Sequence, residues 1–248
     1  MSYAEIHFHL LPGLDDGPSS IEESIALAAA AAAEGTGTIV ATPHVHPEHV
    51  TDVSILPDQV HEVRAQLAAE RIRLRVRCGG ELAHNMVWRL AASELETIAH
   101  GPPGRRWLLL EAPFAGFDDG YTGAADELRA RGFGVVVAHP ERALGPGEAW
   151  WAAIEHELTA GSALQINAWS VTGCYGEQIR SAAFALLRRA PLAAVASDAH
   201  GGARMPALTL ALDALTSSGF ADARRFIDAA PYRLLAHGLP AGVREAAA

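Results

Sequence analysis

The sequence contains no lysine; all 19 of its Lys and Arg positions are arginine. Schiff-base catalysis, a P-loop lysine and a carboxylated lysine bridging two metals are therefore excluded. Cysteine is scarce as well. Cys78 and Cys174 stand far apart and form no CxxC pair, so a disulfide framework or a thiolate zinc site has no basis. No apolar run approaches the roughly 18 residues that a transmembrane helix needs. The alanine-rich stretch Ala26 to Ala33 is short and follows Glu22 and Glu23. The start of the chain shows neither a basic region nor a signal-type apolar core. The expectation is a cytoplasmic protein without a transmembrane segment.

Positive charge is also in deficit. The formal net charge is −10, from 29 acidic against 19 basic residues. Nucleic acid is not an expected partner, because phosphate backbones are met by clusters of Lys and Arg. Part of the acidity has another use: a site holding several divalent cations needs carboxylates to balance them. The 12 histidines are compatible with the same chemistry.

Half of the residues are hydrophobic, which suits a single α/β domain over residues 1–248. Strands are expected at 5–8, 38–41, 74–78, 107–110, 134–138, 163–166 and 193–196. Several ("WLLLE", "GVVVA", "AAVAS") are continuous apolar runs, as in parallel strands buried on both faces. Helices are expected between them. The first is capped by the box Ser20-Ile-Glu-Glu23 and stopped at Gly35; others cover 57–70, 87–99, 123–131, 147–160, 177–189 and 205–218, with a short last one at 221–228. The tail "GLPAGVREAAA" is expected to fray. Strands that each precede a helix imply a closed or nearly closed parallel (β/α) barrel, with a doubly wound open sheet as the alternative.

The strand ends carry the chemistry. His7 and His9 end the first strand, two residues apart and hence on one face of it, and Asp15 and Asp16 follow in its loop. The second strand runs into "ATPH" with His44, the third into "GGE" with Glu81, and the fourth ends at Glu111. The fifth ends in "AHPER", with His139, Glu141 and Arg142, and the seventh in "SDAH", with Asp198 and His200. Only the sixth, with Gln165 and Asn167, is chemically bland. In a parallel barrel these ends converge on one face, where active sites sit. Imidazole and carboxylate together bind Zn, Mn or Fe. His7, His9, Asp16, His44, Glu81, Glu111, His139, Asp198 and His200 are enough donors for two or three ions, and a cluster without cysteine is more naturally catalytic than structural.

The ordered set of HxH, "DDG", "TPH", a Glu after the third strand, "HPER" and "SDAH" resembles the polymerase and histidinol phosphatase (PHP) superfamily. Within it, "LPGLDDGPSSIEES", "ATPH", "LLLEAPF", "AHPER" and "ASDAH" resemble the bacterial metal-dependent protein-tyrosine phosphatases of capsule and exopolysaccharide loci. The resemblance runs from Ile6 to Pro206. It implies a distorted (β/α)7 TIM-like barrel of the PHP type with a trinuclear site. His7, His9, Glu81 and Asp198 would hold one ion. Glu81 would bridge to a second, completed by Glu111 and His139. Asp16, His44 and His200 would hold the third. Relatives acting on small phosphoesters have His where Glu111 stands, so Glu111 fits the tyrosine-phosphatase branch. The substrate implied is a phosphotyrosine protein, such as a bacterial tyrosine kinase, and the alanine-rich helix is a candidate contact in a homo-oligomer. The expected reaction is in-line attack of a metal-bridging hydroxide on phosphorus, with Arg142 and Arg204 clamping phosphoryl oxygens and no cysteine nucleophile. Glu5 in place of the usual Asp, Ala112 before Pro113, and Val45 after His44 depart from the family pattern without removing a ligand.

Other readings compete. Inside the superfamily the rival is a small-molecule phosphatase of the histidinol-phosphate type. An amidohydrolase also begins with HxH, but expects a bridging lysine or carboxylate and eight strands. A polymerase-associated exonuclease fits poorly with the acidic charge, and a non-enzymatic metal-binding scaffold would have lost ligands. Outside the donor set, His46 and His49 are expected at the solvent rim and His84 at a helix start. His61, His100, His156 and His237 are expected on the surface, and Trp150, Trp151 and Trp169 in packing rather than in a wall for a substrate ring.

Overall fold

The structure, a computed structural model, describes residues 2–143 and 147–242. Its strands are β1 (Tyr3–Glu5), β2 (Thr36–Ala41), β3 (His44–Val45), β4 (Arg75–Cys78), β5 (Glu81–Leu82), β6 (Trp107–Glu111), β7 (Gly134–Ala138), β8 (Ala163–Asn167) and β9 (Ala193–Ala196). All neighbouring pairs are parallel. They form a three-stranded sheet in the order β1-β2-β4 and a six-stranded sheet in the order β3-β5-β6-β7-β8-β9.

The expected strands at 38–41 and 74–78 form as β2 and β4, and after a two-residue break each is followed by a short further strand, β3 and β5. Thr42 and Pro43 separate β2 from β3; Pro43 has no N–H to give to a ladder. Gly79 and Gly80 separate β4 from β5. The chain is packed so closely there that a Cβ on Gly79 would meet His100 Nε2 and Val40 Cγ1, each at 2.6 Å. Backbone bonds carry the pairing across the breaks, from Glu81 N–H to the Pro43 carbonyl (3.0 Å) and from Ala83 N–H to the Val45 carbonyl (3.1 Å). At the other seam, Asp198 N–H donates to the His7 carbonyl (3.1 Å) and His9 N–H to the Ala199 carbonyl (2.9 Å). These bonds tie the end of β9 to the stretch after β1. That stretch was expected to be regular strand to residue 8. Instead Phe8 N–H bonds to the Thr42 hydroxyl (2.9 Å), and the ladder gives way to isolated contacts.

The helices are α1 (Ile21–Ala33), α2 (Leu56–Ala69), α3 (Ala92–Ile98), α4 (Asp119–Ala130), α5 (Glu148–Thr159), α6 (Ala168–Thr172), α7 (Glu177–Arg189), α8 (Leu208–Ser217) and α9 (Ala229–His237). Only half of the capping box at α1 forms. Ser20 Oγ accepts from Glu23 N–H, but the Glu23 carboxylate turns to the Ser19 N–H and hydroxyl. Gly35 ends that helix with φ 105°, where a side chain is disfavoured. The helix expected over 87–99 shrinks to α3 because the Glu94 carboxylate caps the Ala91 N–H, and a 3-10 turn takes His84–Met86. α4 starts earlier than expected because Asp118 Oδ1 caps the Tyr121 N–H. α6 was not expected, and the last expected helix is a 3-10 turn, Ala223–Phe226, followed by α9.

Apolar side chains pack in two layers. Ile6, Val40, Leu109, Val136, Ala163 and Ala196 fill the space between the strands, and Leu234, Leu235 and Leu239 close it from the far end against Trp107. The Trp107 indole N–H donates to the Leu234 carbonyl (3.0 Å). The tail therefore does not fray at its beginning: Leu239 is buried and bonded to the Arg105 carbonyl, while residues 243–248 lie outside the described residues. With the interior apolar and plugged, the polar donors are left at the C-terminal strand ends. Among the described residues no helix is long and apolar enough to cross a membrane.

His100 is buried against Trp107 rather than on the surface, its ring centroid 5.1 Å from the indole. Burial, with Arg77 and Arg106 nearby, pushes its pKa down to about 3. A base depressed in the folded state stabilises above its unfolded pKa and loses that contribution as pH falls. Between pH 6.5 and 5 the expected loss is about 2 kcal/mol. Urea denaturation of the protein and of His100→Gln at pH 7.5 and pH 5 checks this. The wild type should lose more stability than the variant, and equal losses would rule the account out.

Candidate metal centre

Eight of the nine expected metal donors fall into three close groups at the strand ends, and the ninth, His139, adjoins them through Glu81. His7 Nε2 and His9 Nε2 face each other at 3.2 Å. Both face Glu81 Oε2, at 3.2 and 3.3 Å, and Asp198 Oδ1, at 3.3 and 3.4 Å. Five of the six edges of this four-atom cage therefore lie between 3.2 and 3.4 Å. The centre of a regular tetrahedron with such edges is about 2.0 Å from each corner, a metal–nitrogen or metal–oxygen bond length. Glu81 Oε2 is buried and accepts no hydrogen bond. Four close electron-pair donors in a buried space fit a cation better than they fit one another.

The surroundings aim those lone pairs inward. His7 Nδ1 is 2.9 Å from Gln165 Oε1, and His9 Nδ1 is 2.7 Å from Asp15 Oδ2. Donating there fixes the tautomer that leaves each Nε2 free for a metal. Asp15 also accepts from the Gly17 and His44 N–H groups, so it shapes the loop as well as the imidazole. Gln165 takes the His139 N–H (3.1 Å), and Asn167 Nδ2 donates to Asp198 Oδ2 (2.9 Å). Glu5 is fully buried, holds the Ser197 N–H and hydroxyl, and is pushed up to about 8 by that burial. Glu141, pushed up to about 7 by burial, accepts from the Asn167 N–H.

Two further donor groups adjoin the first. Donor atoms of His9, Asp16, His44 and His200 lie within 4.8 Å of one another, as do those of His44, Glu81 and Glu111. His200 Nδ1 sits 2.8 Å from the Asp198 carbonyl, leaving Nε2 buried, unbonded and 3.2 Å from Asp16 Oδ1. His139 meets Glu81 through the other carboxylate oxygen, Nε2 to Oε1 at 2.8 Å, and its Nδ1 has no hydrogen-bond partner. Burial would raise the Glu81 carboxyl, but His7 and His44 beside it hold it well below the usual carboxylate range. Glu111 goes the other way, pushed up to about 7 by burial and by the Glu81 charge. Two site residues have left-handed backbones, His139 (φ 34°) and Asp198 (φ 50°).

At the rim, Arg142 Nη1 donates to Asp198 Oδ2 (2.9 Å) and Arg204 Nη2 to Asp16 Oδ2 (2.5 Å). The Arg142 guanidinium carbon is 4.7 Å from the Phe114 ring centroid and 4.8 Å from that of Tyr175. The His49 ring stacks 5.5 Å from His44, and His46 lies beside it, both outside the donor groups. Trp150 is buried with its indole N–H on the Pro140 carbonyl, and Trp169 donates to the Met205 carbonyl.

One sequence spacing opposes a cysteine-free reading. Cys174 and Arg180, in "CYGEQIR", have the C-x5-R spacing of cysteine-dependent phosphatases. The stretch is not a phosphate cradle here. The Cys174 N–H bonds to the Trp169 carbonyl and the Gly176 N–H to the Gly173 carbonyl. Arg180 is engaged with Glu177 and Ser218. Two of the loop's amides and both terminal nitrogens of the guanidinium are thus engaged elsewhere.

Comparison with known proteins places this geometry. Residues 3–230 match the family model described as capsular polysaccharide synthesis, CpsB/CapC. The chain is 31% identical to the tyrosine-protein phosphatase YwqE of Bacillus subtilis over 206 residues, 79% of this chain and 76% of that one. It is 29% identical to the tyrosine-protein phosphatase CpsB of Streptococcus pneumoniae over 226 residues, 84% and 88% of the two chains. A crystal structure from work on those two proteins, described as metal-dependent tyrosine phosphatases, superposes with a TM-score of 0.81 at 26% identity, covering 98% of this chain and 100% of the other. The phosphotriesterase homology protein of Escherichia coli shares the fold, with a TM-score of 0.59 at 14% identity over 91% of this chain and 95% of that one.

Proposed function

Because this chain belongs to the CpsB/CapC family of capsular polysaccharide synthesis, we propose that it is a metal-dependent phosphatase that removes phosphate from tyrosine in a protein substrate. The observation that carries the reading is the buried cage of His7, His9, Glu81 and Asp198, with five donor–donor edges of 3.2–3.4 Å around a metal-sized centre. We assign that cage to one ion. Glu81, shared with Glu111 and His139, serves a second, with His44 close enough to join it. Asp16, His44 and His200 serve a third. Divalent Mn, Fe or Zn in these places would set positive charge against the phosphoryl oxygens and lower the pKa of water at the site.

The chain's own groups do the rest. Arg142 is fixed by Asp198 and leaves further N–H donors for a phosphoryl oxygen; Arg204 is fixed by Asp16 in the same way. Asp15 and Gln165 hold the two imidazoles of the cage in one tautomer. Phenolate, with a pKa near ~10, departs without a dedicated acid. The reading places the enzyme in the cytoplasm as one catalytic unit over residues 1–248, acting on a phosphotyrosine protein such as a bacterial tyrosine kinase, in a homo-oligomer.

Removing the metals tests it. Exhaustive EDTA treatment is expected to abolish turnover of a phosphotyrosine peptide, and Mn²⁺ to restore it. Undiminished activity after chelation would overturn the reading. Histidinol phosphate and a phosphoserine peptide, assayed beside it, should be poor substrates.

A further inference from the structure

Phe114 is a loop residue with no packing reason to face where it does. It follows β6, and 55% of it is exposed. Yet its ring lies parallel to that of His139, at an interplanar angle of 2° with centroids 5.6 Å apart, and against the Arg142 guanidinium at 4.7 Å. An isolated exposed aromatic needs no explanation. One stacked on two groups of the catalytic mouth does. Tyr175 approaches the same guanidinium at 4.8 Å, so the Arg142 guanidinium carbon lies over two rings while its Nη1 donates to Asp198. The guanidinium needs only its edge to grip a phosphate. Its faces are therefore free for aromatic contact, and more than half of Phe114 stays uncovered beside the place where that phosphate would sit.

We propose that Phe114 is the specificity-determining residue of this site: its open ring receives the aryl group of the substrate, while Tyr175 braces Arg142. The inference rests on the phosphotyrosine reading above and adds the reason an aryl phosphate is preferred to an alkyl one. An aromatic pair contributes beyond simple burial when the rings are offset or edge-to-face. A serine or threonine phosphate offers no ring and gains nothing from Phe114.

The test uses ligands that cannot turn over. Phenylphosphonate and methylphosphonate are titrated calorimetrically into the metal-loaded protein and into Phe114→Ala, Phe114→Leu and Phe114→Trp. The preference for phenyl over methyl is expected to fall roughly three- to tenfold in the alanine variant. It should fall in the leucine variant too and persist in the tryptophan variant. Metal content and thermal melting of each variant show that the site and fold are intact. If alanine weakens both phosphonates equally, Phe114 only props Arg142 and the proposal is overturned. Unchanged binding of both overturns it as well. Loss of phosphotyrosine turnover in the metal-loaded wild type would instead strike the functional reading, which this binding ratio does not measure.

Discussion

Exchanging Glu81 for glutamine is expected to lower phosphotyrosine turnover by about 10³-fold or more and to strip metal from the protein. The side chain keeps its shape but loses its charge. One carboxylate borders four imidazoles: Oε2 lies 2.9 Å from His44 Nδ1 and within 3.3 Å of His7 and His9, and Oε1 lies 2.8 Å from His139. An amide in that position would turn one donor, its NH₂, toward nitrogens that must present lone pairs. The neighbouring Glu111, now pushed up by the Glu81 charge, would be left as the sole carboxylate of its donor group. Elemental analysis and steady-state kinetics on the same sample check the outcome, with circular dichroism to confirm folding. A glutamine variant with full metal content and activity within tenfold of wild type would show that Glu81 does not bridge.

Arg142→Ala is expected to cost about 10²- to 10³-fold in kcat/KM, the usual range for removing one preorganised donor to a developing oxyanion. Arg142→Lys should recover little of it. A lysine carries the charge but has no planar faces for Phe114 and Tyr175, and it cannot hold Asp198 with one nitrogen while reaching phosphate with another. Kinetics of both variants at fixed metal loading decide the point. Full rescue by lysine would mean that charge alone matters and that the aromatic brace is incidental.

How far the sequence could be read follows from the physics of each signal. His7, His9, His44, His139, Asp198 and His200 were visible because a parallel strand delivers its last residues to one face, and apolar runs such as "GVVVA" show where strands stop. The second layer was not visible. Gln165 and Asn167 looked bland, yet they orient His7 and Asp198 across 158 and 31 residues of chain. Their amides have no chemistry that marks them apart from ordinary polar residues. Asp15 stands beside Asp16 in the same loop with nothing in the sequence to tell their roles apart, and its work on the His9 imidazole and the His44 amide depends on how that loop folds. The breaks at Pro43 and Gly79 were legible in part, since proline and glycine punctuate strands, but the close approach of His100 to Gly79 is a tertiary fact. α9 escaped notice because its burial comes from plugging the far end, where its partner is Trp107.

The left-handed backbones of His139 and Asp198 have a consequence for how the protein can be improved. A residue with φ above zero and a Cβ carries local strain, and glycine would relieve it. At both positions, then, the residue best for folding and the residue best for chemistry differ. A search that selects for heat resistance alone would drift toward glycine there and arrive at a hardier protein that lacks two of the proposed metal donors. Stabilising substitutions are to be sought at the plugged far end, where apolar contact is the only demand.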